Sequence, residues 1–108
     1  MVTKKVTHGV PREKTELRKL VVLRAIKRMK GAAPREIWRS FVVSAYKDAD
    51  GQDPETGTPA AWVSKVLSDL CKEGLVMTGD VKGKRLITAR GQAYLDGDKR
   101  RVNYAMIL

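Results

Sequence analysis

The chain has 108 residues, enough for one compact domain and too few for two ordinary ones. Hydrophobic residues at 43% and charged residues at 31%, with nine glycines and four prolines, exclude collagen-like and disordered compositions. Twenty-two Lys and Arg against twelve Asp and Glu leave a net charge of +10, which points to a polyanionic partner, although membrane-surface and acidic-protein binders share that property.

No apolar run approaches the roughly 18 residues of a membrane span, and the opening MVTKKVTHGVPREK lacks the apolar stretch of a signal peptide. The expectation is a soluble, cytoplasmic protein without membrane contact. One cysteine, Cys71, has no internal disulfide partner, and with His8 as the one histidine a structural zinc site is poorly served. No metal and no cofactor are expected.

Residues 1–11 mix Lys4, Lys5, His8, Gly9 and Pro11 without periodicity and read as a mobile basic arm. From about residue 12 to 30 the pattern is helical, with Val22, Ala25, Ile26 and Met29 on one face and Gly31 as the stop. Leu17, Leu20 and Leu23 lie on roughly the opposite side, and a helix apolar on two sides needs two covers. A second helix opens at Pro34 and carries Ile37, Trp38, Phe41, Val42 and Ala45 inward until about residue 46. The segment 47–57, KDADGQDPETG, is a loop by its turn formers; it gathers Asp48, Asp50, Asp53 and Glu55, so the remainder of the chain carries +14.

Thr58 offers an N-cap hydroxyl and Pro59 fits a first turn, opening a third helix with Val63, Val66, Leu67 and Leu70 as its buried stripe. Trp62 and Cys71 fall at the two margins of that stripe, Cys71 as a small core residue. Trp38 and Trp62 are expected to pack within the domain rather than stack on bases. After Gly74 the period becomes strand-like: residues 75–78 and 84–88 flank a glycine-containing connection, 79–83, suited to a hairpin. Thr88 can cap a last short helix at 89–95.

Three helices followed by a basic hairpin is the winged-helix order. The stretch PAAWVSKVLSDLCKEGLVMTGDVKGKRLITARGQAYL at 59–95 resembles the recognition helix, wing and exit helix of small prokaryotic, archaeal or phage winged-helix regulators, through the pieces KEGLV at 72–76 and LITARG at 86–91. The resemblance implies an α+β, mainly α domain at 12–97, with 98–108 as a further segment. The eleven residues between helices 2 and 3 exceed that family's usual tight turn.

The third helix makes mechanical sense without the family. Its outer face holds Ala61, Ser64, Lys65, Ser68 and Lys72, a small, hydroxylated and positive surface able to enter a major groove about 12 Å wide. The plainer alternative is an ordinary solvated face. Lys82, Lys84 and Arg85 put charge on a narrow projection, suited to a backbone or minor groove, or else merely protecting an edge hairpin from aggregation. Lys4, Lys5 and the run 99–101 add candidate phosphate contacts.

Other signals are weaker. The 79–85 stretch has three residues between its glycines and no Ser or Thr after the lysine, unlike a phosphate loop, and the acidic run has Pro59 where a calcium loop needs Glu. No nucleophile–base pair is evident, so no enzyme is expected. The partner expected is double-stranded DNA, in transcriptional regulation. The alternative is RNA binding or protein assembly. A homodimer through Leu17, Leu20, Leu23 and the apolar run at 102–108 is the expected cover for helix 1, and a tail folded back within one chain the alternative.

Overall fold

A computed structural model of the chain describes residues 12–49, 58–81 and 83–108. The arm with Lys4, Lys5 and His8, the acidic residues Asp50, Asp53 and Glu55, and Lys82 fall outside the described residues. Among the described residues the elements are α1 (Arg12–Met29), α2 (Pro34–Ala49), α3 (Ala61–Lys72), β1 (Val76–Thr78), β2 (Arg85–Ile87), α4 (Ala89–Asp96) and α5 (Tyr104–Ile107). The fold is α+β and mainly helical, with one two-stranded antiparallel sheet.

Helix α1 is the central element, because its sequence is apolar nearly all round. Leu20, Val21, Val22, Leu23, Ala25 and Ile26 are all buried, against α3, β2 and α4 on some sides and α2 and α5 on the others. Each fully buried leucine there contributes about 1.5–3 kcal/mol. The helix closes through Lys30, left-handed at φ 56° with its N–H on the Lys27 carbonyl at 3.2 Å, and then through Gly31. The Gly31 φ of 109° is one that side chains rarely adopt, its N–H reaches the Ile26 carbonyl at 3.0 Å, and a Cβ there would stand 2.8 Å from Leu86.

The chain leaving α1 joins the hairpin. Ala32 and Arg85 exchange both backbone hydrogen bonds, at 3.0 and 2.9 Å, while Arg85 also lies opposite Thr78 in the β1–β2 register. Arg85 is therefore held from both sides of β2.

The residues that punctuate the sequence after α3 converge on one spot. Thr88 Oγ1 donates to the Gly74 carbonyl at 2.7 Å and accepts the Gly91 N–H at 3.0 Å, capping α4 as expected. The Thr88 N–H reaches the Leu75 carbonyl, and a Cβ on Gly91 would collide with that same oxygen. Turn, strand end and helix start are fastened together there.

Three local expectations shift. Helix α2 runs to Ala49, beyond 46, where α5 lies along it and Asp48 Oδ2 accepts the Tyr104 N–H at 2.5 Å. Helix α3 is capped by neither Thr58 nor any other side chain; Ala60 is its N-cap, and stacking of Trp62 on Phe41 at 5.6 Å sets its entry instead. Cys71 is exposed, not a core residue, because Leu67 and Leu70 fill the interior and turn it outward.

Most of the apolar surface behind the expected homodimer is covered within one chain, while Met106 and Leu108 of the tail stay exposed. Leu20 and Leu23 are 0% exposed, Leu17 is half-buried, and Ile107 is 1% exposed in the same core. Arg18, 6% exposed, ties the segment down by donating from Nε to the Ile107 carbonyl at 2.7 Å. Its guanidinium lies 4.3 Å from the centre of the Trp62 ring, and Tyr104 packs on Phe41 at 6.1 Å. Burial lowers the Arg18 pKa from its ordinary value. The exposed-patch argument for a dimer is thereby reduced to Met106 and Leu108.

Candidate nucleic-acid interface

The stripe Val63, Val66, Leu67 and Leu70 is buried, as its spacing predicts, and this fixes the rotation of α3. Ala61, Ser64, Lys65, Ser68 and Lys72 all emerge exposed on the other face. Helix α3 has no acidic residue in its first turn, leaving the positive end of its dipole unopposed by its own side chains.

The tertiary structure brings part of this face to the hairpin. Ser64, Ser68 and Cys71 of α3 line a groove of about 290 Å³ with Pro34 at the start of α2 and with Thr78 and Arg85 of the sheet. Arg85 sits in its wall, with Nη1 donating to the Gly83 carbonyl at 2.9 Å and its backbone paired to both Ala32 and β1. A guanidinium on so constrained a backbone loses little freedom when it meets a ligand.

The remaining expected residues are less concentrated. Lys65 lies 3.6 Å from Asp69, and Lys84 lies 3.9 Å from Glu36. Lys72 lines a neighbouring depression with Arg90 and Tyr94 rather than the groove itself. At the far end, Lys19 on α1 meets Glu73 at 2.6 Å, and this hydrogen bond raises the Lys19 pKa. Of the run 99–101, Arg100 is engaged by Asp98 and approaches Glu16, while Lys99 lines a groove with Arg24 and Lys27. That run does not join the α3 face.

Sequence reasoning missed Thr78, Pro34, Cys71 and Arg90 as neighbours of the charged residues. Thr78 was recoverable: a hairpin turning at 79–83 puts residues 78 and 85 opposite each other. Pro34 was not, since it arrives through the Ala32–Arg85 bridge, a contact with no local signal.

Chemically, the surface offers hydroxyl donors and acceptors, an arginine fork and flanking ammonium groups, a set suited to phosphate oxygens and base edges. Among the described residues no group of three or more His, Cys, Asp or Glu side chains is gathered for a metal, and no helix is long and apolar enough to cross a membrane. Comparison with known proteins gave no match: no family model, no curated protein and no solved structure matches the chain.

Proposed function

We propose that the chain is a DNA-binding transcriptional regulator of the winged-helix type. In this reading α3 enters the major groove and the β1–β2 hairpin grips the backbone or minor groove. The observation that carries it is the groove in which Ser64 and Ser68 of α3 face Arg85 and Thr78 of the hairpin. The order of three helices and a hairpin supports the fold assignment, as does the Ala32–Arg85 bridge, which adds a third extended segment between α1 and α2.

The mechanism is electrostatic approach followed by close fit. A net charge of +10 displaces condensed counterions from a duplex and speeds encounter. Ala61, Ser64 and Ser68 are small enough for the α3 backbone, on a helix about 10–12 Å across, to sink into a groove about 12 Å wide. Lys65, Lys72 and Lys84 then reach phosphates, while Arg85 is positioned for a bidentate contact.

Salt-titrated fluorescence anisotropy on duplex DNA, single strands and structured RNA tests the reading. Duplex affinity should fall steeply with salt. Replacing Lys82, Lys84 and Arg85 together should lower the slope by about one unit per lost phosphate contact. Ser68→Glu with Lys72→Glu should weaken the duplex at least about tenfold at unchanged thermal stability, since both side chains are exposed. Flat salt dependence refutes the reading, and preference for structured RNA over duplex replaces it with an RNA-binding one.

A further inference from the structure

A second cationic surface lies on the side of the domain turned away from α3. Arg18 and Trp38 both pack on Trp62 of α3, at 4.3 and 6.2 Å. Lys27 on α1 and Lys47 on α2 each stand nine residues further along their helix. At about 100° per residue that is half a turn away from the α3-facing side. Both are exposed.

Two adjoining grooves connect them. One, of about 530 Å³, is lined by Arg24, Lys27, Arg28 and Lys99 with Asp96 and Asp98. The other, of about the same volume, is lined by Arg28, Arg39 and Lys47 with Glu36. Arg28 borders both, so the six cations form one strip. The three carboxylates are engaged: Asp98 by Arg100, Asp96 by Gln92, and Glu36, where the strip adjoins the hairpin, by the Ala33 N–H at 2.7 Å and by Lys84 at 3.9 Å. Among the described residues Lys27, Arg39, Lys47 and Lys99 show no ion pair. Arg24 donates to the Arg100 carbonyl at 2.9 Å, which holds Lys99 beside Lys27.

We propose that this strip binds the phosphate backbone of a second duplex, so that one chain bridges two DNA segments. The inference rests on the DNA-binding reading of the α3 face. A straight duplex on α3 does not reach around a domain whose smallest dimension is 27 Å, so the strip needs a separate polyanion. A lipid surface fits less well, because Met77, Val81, Met106 and Leu108, the exposed large apolar residues among those described, do not line either groove. Three arginines among the six cations favour phosphodiester oxygens, which they can hold in a fork.

The test uses the full chain and two short duplexes carrying different fluorophores, with energy transfer reporting bridging and sedimentation counting chains per complex. The expected result at low salt is one chain with two duplexes. Lys27→Gln, Lys47→Gln and Lys99→Gln together should cut bridging at least about tenfold while the salt slope of first-duplex binding stays the same. Single-duplex binding without bridging overturns the inference alone, as does bridging that survives the triple variant or that requires two chains. Displacement of the second duplex by phosphatidylserine vesicles, with the first retained, also overturns it in favour of a membrane surface. Absence of any duplex binding overturns both this inference and the reading it rests on.

Discussion

Replacing Arg18 by alanine should cost about 2–4 kcal/mol of folding stability. The hydrogen bond from Nε to the Ile107 carbonyl, 2.7 Å long and carried by a charged donor, is worth about 1.5–3 kcal/mol. The guanidinium over Trp62 adds about 0.5–2 kcal/mol, and relief from desolvating a charge at a site 6% exposed takes part of this back. Urea titration followed by Trp38 and Trp62 fluorescence measures the change. The diagnostic form is a cycle with a chain stopped after Asn103, which lacks the acceptor carbonyl. Cutting there should itself destabilise, since it removes the buried Ile107 and the Tyr104 ring from Phe41. In that background Arg18→Ala should cost about 1–2 kcal/mol less than in the full chain, because the hydrogen bond is already gone. Strict additivity would show that α5 does not rest on Arg18, and the covered face of α1 would again need another partner.

Leu70→Ala, at a site 0% exposed on the inner stripe of α3, should lose about 2–5 kcal/mol in thermal or urea melts; a neutral result would mean that α3 is rotated differently. Gly91→Ala should cost at least about 2 kcal/mol, because the new Cβ would press on the Leu75 carbonyl and on Ile87 with no flexible group to yield on the backbone side. Circular dichroism melts check this, and a variant as stable as the parent would disprove the junction at Thr88. Asp98 has its pKa lowered to about 2, chiefly by its hydrogen bond to the Arg100 side chain. A depressed carboxylate stabilises the fold above its unfolded pKa and loses that contribution as pH falls through the folded one, here between about pH 4 and about 2. Asp98→Asn should flatten this part of the acid-stability profile, by no more than about 1 kcal/mol for a surface pair. An unchanged slope would refute the assignment.

Periodicity and punctuation in the chain determine a good deal by themselves. The stops at Gly31 and Gly74, the inner stripe of α3, the hairpin and the Thr88 cap depend on backbone torsion and short-range hydrogen bonds, and these signals survive in the order of residues alone. The outward set Ala61, Ser64, Lys65, Ser68 and Lys72 follows from the same stripe, because a helix that buries one face must expose the other. The start of α3 does not follow, since Phe41 stacking on Trp62 acts across helices and overrides the Thr58–Pro59 signal. The side that 98–108 covers is also not local information. Tyr104 reaching Asp48, and Ile107 reaching Arg18, join residues 56 and 89 positions apart, and an apolar run reads the same whether its cover lies in its own chain or in another. The groove likewise exists through the Ala32–Arg85 bridge, which sets Arg85 beside Ser64 and Ser68. Composition supplied the +10 charge, but its division into an α3 side and an opposite α1–α2 side was decided by which helix faces turned toward Trp62.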